Sequence, residues 1–419
     1  MSRRPGLAET ASAALTRRSL LRGALAAAAA PYAITSFSLA GEGRPLPSNR
    51  LTVGAIGMGG RGSGDMRGFL SHEECQVVSV CDVVQSKREA ARSTVDNYYG
   101  ASGCTAVNDF RDITSRPDVD AVMIGTPDHW HAIISVEAMK SGKDVFCEKP
   151  ETLTVREGRT MVEVARRHAR VFSGGSQRVW EDYNWFHKMV RAGAIGDVQE
   201  CWVNVGGPSA ECSLPEMPVP PGLDWDLWLG PAPGAPFNPG RLNFRAWRDY
   251  SGGGMTDWGA HGFGGALFCM GLHQTGPVEI IPPDGKDNKG VTYVFANGIR
   301  MYHGGGWGGI MSYRGTKGEI PDRGAAGRSI KSLPAPDIGI PNYKGRGGLI
   351  GDFLHCVRTR ERPWRDIEVA HRTVTVCHLG NIAYWLGRAV KWDPVREEIV
   401  GDAEAARWLD RPKRAPWRL

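Results

Sequence analysis

Gly57, Gly59 and Gly62 form a GxGxxG run directly after the apolar stretch Leu51–Ile56. The pattern suits phosphate binding. The first glycine permits a tight turn, the second lets a pyrophosphate approach the backbone, and the third lets helix and strand pack closely. In a chain with 55 glycines the run alone is weak, so its setting decides. A strand precedes it and the spacing predicts a helix over about 62–71, which is the setting a dinucleotide needs. A second apolar run, 76–81, ends in Asp82, 20 residues beyond Gly62. A carboxylate there accepts from a ribose 2′-hydroxyl and repels a 2′-phosphate. NAD is therefore favoured, with NADP as the alternative because Lys87 and Arg88 stand close by.

The elements that must position these residues alternate. A strand at 121–124 runs into Gly125-Thr126-Pro127-Asp128-His129-Trp130-His131, followed by a helix over about 132–141. The next strand, 144–147, ends in Glu148-Lys149-Pro150, and a helix covers about 155–168. A last strand at 171–173 leads to Gly174-Gly175-Ser176-Gln177-Arg178. Polar residues gather at strand C-termini, where doubly wound sheets bind ligands. Beyond this point the pattern changes. A helix at about 181–192, a half-buried strand at 198–205 and a Pro/Gly-dense surface loop over 206–240 follow. Runs 291–295 and 299–303 flank Ala296-Asn297-Gly298, a hairpin signal, and the glycines of 304–309 read as a turn. Helices are expected at 349–359 and 371–388. The reading is an α/β domain of Rossmann type over 41–175. An α+β domain over 176–419 carries an open, mostly antiparallel sheet, and its C-terminal helices are able to pack back on the first domain.

Taken together, these residues resemble the Gfo/Idh/MocA oxidoreductases, named for glucose–fructose oxidoreductase and inositol dehydrogenase. The resemblance runs from about Leu51 to Leu419. It rests on the glycine run with Asp82, on Thr126 to His131, on Glu148-Lys149-Pro150 and on Asp257-Trp258-Gly259-Ala260-His261. The stretch from Glu368 through His378-Leu379-Gly380-Asn381 to Ala415-Pro416-Trp417 looks like a secreted branch of that family. The resemblance implies a catalytic set of Lys149, Asp257 and His261. Asp257 and His261 are four apart, which on a helix puts them on one face, so the acid could orient a histidine that accepts a hydroxyl proton. Lys149 would hold the substrate oxygen. The implied cofactor site comprises Gly57, Met58, Gly59, Gly60, Arg61, Gly62, Asp82, Thr126, Pro127, Asp128, His131, Glu148, Lys149 and Gln177, with no metal. Several family members carry an acid three residues after the histidine. Here that residue is Gly264, between Gly262 and Gly265, which removes a polar contact, makes room and argues against an inositol-type binding mode.

Charge and composition exclude other classes. Of the formal +6, four units come from the first forty residues, where Arg3, Arg4, Arg17, Arg18 and Arg22 face only Glu9. The remainder has no basic stripe, so no nucleic-acid partner is expected. Nine scattered cysteines without a CxxC pair indicate neither a disulfide framework nor a zinc ribbon. Thr16-Arg17-Arg18-Ser19-Leu20-Leu21-Arg22, the short alanine-rich run 23–30 and Ser38-Leu39-Ala40 have the layout of a twin-arginine export signal over 1–40. The expectation is a periplasmic or secreted protein without a membrane span after cleavage. It would form a dimer or tetramer, act on a small carbohydrate and carry NAD tightly bound from the cytoplasm, with 41–50 lying across the adenine side. Hydride transfer from a secondary sugar hydroxyl is the first expectation. A redox-neutral glycosidase working through transient C3 oxidation is the second, and non-catalytic carbohydrate or nucleotide binding the third.

Overall fold

Six short strands, none longer than seven residues, build the first sheet: β1 (Leu51–Ile56), β2 (Cys75–Cys81), β3 (Thr105–Val107), β4 (Ala121–Ile124), β5 (Asp144–Cys147) and β6 (Phe172–Gly174). All pair in parallel, in the order β3-β2-β1-β4-β5-β6. The order reverses at β1, so the crevice between the β1 and β4 ends is where a nucleotide belongs. The structure is a computed structural model and describes residues 49–181, 183–286, 289–306, 309–320, 336–340 and 342–419. The export signal at 1–40 and residues 41–48 of the proposed arm lie outside the described residues. Among the described residues no helix is long and apolar enough to cross a membrane.

Helices α1 (Gly60–Leu70) and α2 (Gln85–Tyr99) cover one face of this sheet. The other face is covered by α3 (Asp128–Lys140) and α4 (Val155–Arg167). The central strand β4 is buried throughout, as expected of a parallel strand sandwiched between helices. Helix α4 opens with a capping box, Thr154 and Glu157 each accepting from the other's backbone N–H. Helix α3 begins four residues earlier than its apolar pattern suggests. Asp128 to His131 are therefore helical, and their backbones point α3 at the β4 edge.

The second sheet has eight strands. They are β7 (Val198–Val203), β8 (Glu279–Ile281), β9 (Thr292–Val294), β10 (Arg300–His303), β11 (Met311–Gly315), β12 (Gly318–Ile320), β13 (Val390–Asp393) and β14 (Glu398–Ile399), in the order β12-β11-β7-β10-β9-β8-β13-β14, antiparallel except where β10 lies parallel to β7. The expected hairpin is β9 (Thr292–Val294) against β10, with Gly298 at φ +87° in the turn. One face packs on α5 (Asn184–Arg191), α6 (Gly259–Cys269) and α8 (Ile367–Leu386), with Tyr293, Met301, Met311 and Tyr313 fully buried between. Helix α7 (Gly348–Thr359) belongs by packing to the first sheet, since Leu349, Phe353 and Val357 share a core with Val53, Phe69 and Phe146.

The segment 206–240 departs from the surface-loop expectation. It carries a helical turn, Trp225–Leu229, and buries Trp228, Leu229, Ala232 and Phe237. Part of it folds against the β2 edge of the first sheet as a strap. The composition announces turns but not docking; two of the docking bonds join main chain to main chain, Gln85 N–H to Gly222 O (2.8 Å) and Asp224 N–H to Val83 O (3.0 Å).

Candidate functional site

The loop after β1 is shaped by steric contact between main chains. Gly57 has φ +87°, and a Cβ there would lie 2.6 Å from the Thr126 nitrogen. A Cβ on Gly62 would lie 1.9 Å from the Gly57 carbonyl oxygen. Gly59 and Gly60 differ: a Cβ on either meets no atom within 4 Å. Protein packing does not require glycine there, and its absence of side chain leaves open space over the N-terminus of α1. That terminus has no side-chain cap, so its first N–H groups are available to an anion. The Met58 N–H donates to Asp82 Oδ2 (2.7 Å) and the Val84 N–H to Asp82 Oδ1 (2.8 Å). Asp82 thus braces the glycine loop besides lining the cleft. Burial pushes its carboxyl up, partly offset by those N–H bonds and by Lys87.

One cleft of about 1130 Å³, measured with its open mouth, gathers Gly57, Gly59, Gly60, Arg61, Asp82, Thr126, Pro127, Asp128, His131, Glu148 and Lys149. Met58 and Gly62 are buried behind it. The open space over Gly59 and Gly60, the bare helix terminus and the carboxylate at the end of β2 fit a dinucleotide. The strap forms the cleft's far wall with Leu227 and Trp228. Asn108 Nδ2 donates to Asp224 Oδ2 (2.8 Å), and Trp130 Nε1 donates to the carbonyls of Leu227 and Trp228 (both 3.1 Å). Near the C-terminus, Arg414 Nε donates to the Gly230 carbonyl (2.9 Å), and Trp417 packs edge-on against Trp130 at 4.7 Å. None of this clasp was legible in the motifs.

The strand-end motifs supply both bracing and chemistry. His131 sits between the Pro150 carbonyl (Nδ1, 2.7 Å) and the Thr126 carbonyl (Nε2, 2.9 Å), tying the β4 and β5 edges together. Burial draws its pKa down, against the pull of those carbonyls. Asp128, buried, accepts from Ser251 Oγ (2.6 Å), and burial pushes its pKa up to about 7. Glu148 is buried against Gly175 and accepts from Arg61 Nε (2.9 Å), while Arg61 also pairs with Asp65 (2.9 Å). Burial pushes both carboxyls up.

Lys149 reaches across to the second half. Its Nζ lies 2.5 Å from Asp257 Oδ1 and donates to the Asp257 carbonyl at 3.1 Å. Arg245 Nε adds a contact to the same Oδ1 at 3.1 Å. Burial pushes Asp257 up, but the two cations outweigh it and hold the carboxyl below its ordinary value. This corrects the expectation that Asp257 orients His261. A carboxylate within reach of two formal cations binds them in preference to a neutral imidazole. The helical turn Gly254–Asp257 also ends before α6 begins at Gly259. The partner of His261 is Ser176, whose Oγ lies 2.7 Å from Nδ1. With that hydroxyl turned toward the Ala260 carbonyl (3.5 Å), Nδ1 carries the proton and Nε2 is the acceptor. Burial, followed by Lys149, Arg365, Arg178 and Arg61, draws the His261 pKa down to about 2, so the imidazole is neutral. Gln177 is half-buried beside Ser176 and stands outside the cleft lining.

The glycines after His261 also need correction. They do not make room. A Cβ on Gly264 would stand 3.1 Å from Arg365 Nη1 and 3.2 Å from Thr373 and Val179 methyls. Arg365 is fully buried and paired with Glu151 at 3.3 Å. Gly262 and Gly265 meet Val203 and Tyr183 in the same way. These positions are small because α6 is tightly packed. Ser176, Arg245, Ser251 and Arg365 escaped the sequence reading. Only Ser176, at the end of β6 and so on the ligand-binding edge, carried a positional signal.

The comparisons with known proteins agree with this fold. Residues 51–176 match the oxidoreductase family model for a NAD-binding Rossmann fold, and residues 201–419 match the model for its C-terminal alpha/beta domain. A "Glycosyl hydrolase family 109 protein" of Shewanella baltica is 31% identical over 200 residues, which is 46% of this chain and 42% of that protein. The chain thus spans less than half the length of that curated relative. A NAD-binding protein from Listeria innocua superposes with a TM-score of 0.58 at 22% identity, covering 82% of this chain and 97% of that one. The myo-inositol 2-dehydrogenase from Lactobacillus plantarum superposes with a TM-score of 0.58 at 17% identity, covering 82% and 99%. At these identities the likeness to solved structures is one of fold. Matched across both its halves, the chain belongs to the Gfo/Idh/MocA family of NAD-binding oxidoreductases.

Proposed function

We propose that the protein oxidises a secondary hydroxyl of a sugar or sugar-like polyol. The observation that carries this reading is Lys149. It lines the cleft at the β5 end and is held by Asp257 of the other half, with a neutral, serine-bound His261 four residues further on. NAD, bound along Gly59, Gly60 and Asp82, would supply the hydride acceptor. Lys149 donates to the substrate oxygen and stabilises negative charge as it develops there. His261 Nε2 accepts the hydroxyl proton. Its proton affinity is low, so Lys149 must lower the hydroxyl's own pKa for the transfer to proceed. Asp257 holds Lys149 in place. Formation of reduced cofactor with a panel of sugars tests the reading. Lys149→Ala should cost about 10²–10³ in turnover, the scale of losing one donor to a developing oxyanion, with bound nucleotide retained. An unchanged rate sinks the assignment. Nucleotide binding with no redox change in any carbohydrate would favour the non-catalytic alternative.

A second reading draws on the clasp. A strap and a C-terminal segment over the adenosine end favour slow release of NAD, which suits a cofactor loaded once before export and never exchanged. A redox-neutral glycosidase needs no exchange. Oxidation at C3 acidifies the neighbouring C2–H, elimination expels the glycosidic group, water adds and the carbonyl is reduced again. Curated relatives named as glycosyl hydrolases support this route. Incubating the protein with glycosides and no added acceptor separates the two: free sugar supports glycoside cleavage, and keto-sugar supports simple oxidation. The twin-arginine layout supports a place outside the cytoplasm, and the exposed sheet face is available for a dimer or tetramer.

A further inference from the structure

We propose that Trp258 and Arg245 form a subsite for a pyranose bearing a carboxylate, that is, a uronic acid or its glycoside; the proposal rests on the carbohydrate reading above. Trp258 is 44% exposed, although it sits between Asp257, which holds Lys149, and the buried His261. Its ring is 5.8 Å from the His261 ring, and the Arg178 guanidinium lies over it at 5.1 Å. An indole kept open to solvent beside proposed catalytic groups offers an apolar face with the flatness of a pyranose C–H face.

Arg245 supplies the charge. Its side chain is 46% exposed, its guanidinium lies over Phe244 at 4.6 Å, and it lines the same cleft as Lys149. Only Nε is engaged, at 3.1 Å from Asp257, and among the described residues no other acceptor is within bonding distance. The two Nη groups present the planar fork that a carboxylate takes in bidentate fashion. Lys149 and Arg245 share the single carboxylate of Asp257, so that acid does not occupy the guanidinium fork; Glu148 and Asp65 pair with Arg61. A neutral sugar offers this fork only uncharged hydroxyl oxygens, whereas a uronate would seat its ring on Trp258 and its acid on Arg245, and so present a ring hydroxyl to Lys149.

The test is calorimetric titration of the NAD-loaded full chain with methyl glucuronide and methyl galacturonide, each against its neutral methyl glycoside, at low and at high salt. A gained bidentate charge pair predicts about tenfold tighter binding of the uronate at low salt, shrinking as salt rises. Arg245→Met should bring the ratio to about one, Arg245→Lys should restore only part of it, and Trp258→Ala should weaken both sugars by a similar factor. Equal binding of uronate and neutral twin overturns the proposal, as does a ratio unmoved by Arg245→Met. Uronate preference without hydride transfer supports the subsite and refutes the proposed reaction. Turnover of neutral sugars alone does the reverse. Failure of every sugar to bind a protein that retains its NAD overturns both.

Discussion

The two halves of this molecule build their parts of the site by different means. The nucleotide half uses main chain. Gly57 abuts the Thr126 backbone and Gly62 abuts those of Gly57 and Gly125, Gly59 and Gly60 leave open space, and Asp82 fixes the loop through two N–H bonds. The second half uses side chains recruited over long separations. Lys149 reaches 108 residues along the chain to Asp257, and Ser176 reaches 85 to His261. Main-chain sites need glycine at fixed spacing and leave a local pattern. Side-chain sites need only that two groups meet, and any loop can deliver one of them.

That contrast can be broken inside the glycine loop itself. Gly62→Ala puts a Cβ 1.9 Å from a carbonyl oxygen, and backbone cannot yield as a side-chain end can. It should cost about 3 kcal/mol of stability or more and abolish nucleotide binding. Gly59→Ala meets no protein atom, so the nucleotide-free protein should melt as the parent does, while NAD affinity falls about tenfold or more because the methyl group occupies phosphate space. Melting without nucleotide, paired with nucleotide content after dialysis, separates the two. Equal loss of stability in both variants would mean that the loop, not the ligand, demands glycine at 59.

A smaller effect sharpens the side-chain half. Ser176 touches His261 and not the cleft, so it is a positioning residue. Ser176→Ala should lower kcat about tenfold with KM little changed, because the tautomer is no longer fixed. Ser176→Thr should restore most of the rate. A KM effect without a kcat effect would place Ser176 in substrate binding instead.

Legibility follows the same line. Gly57, Gly59, Gly62, Asp82 and Glu148-Lys149-Pro150 could be found because strand, turn and helix follow one another in sequence. The Asp257–His261 spacing was legible, but its meaning was not, since the pairing depends on where Lys149 and Ser176 arrive. Gly264 was misread for a related reason. An absent side chain looks like open space until the neighbour that fills it, Arg365 from a hundred residues away, is placed. The strap left no local pattern because two of its bonds are main-chain bonds that any residue can make, and the rest come from Asn108, Trp130 and Arg414, far away in sequence.

Acid sensitivity distinguishes the halves most finely. Burial draws eight histidines down: His129 to about 4, His187 and His378 to about 3, His261 to about 2, and His72, His131, His273 and His303 below their ordinary value. Unfolded, each titrates near ~6.5. Below that pH the unfolded chain binds protons that the folded chain refuses. Each histidine therefore withdraws up to ~1.4 kcal/mol per pH unit, and the stability present above pH ~6.5 is lost as pH falls toward the folded values. Three of them, His72, His129 and His131, lie on the nucleotide half and five on the second, so the second half should lose more stability on acidification. His187 is the residue to change. Both its ring nitrogens are buried without a partner, against Phe268 at 4.5 Å. His187→Leu removes two unmet polar groups and one titrating group, and should stabilise the protein by about 1 kcal/mol at pH 7.5. The gain should widen at pH 5, because the parent alone then carries the penalty at this position. Melting curves of parent and variant at both pH values check it. A gain equal at both would mean that His187 is not held neutral by the fold, and the acid lability of the second half would have to come from its other buried histidines.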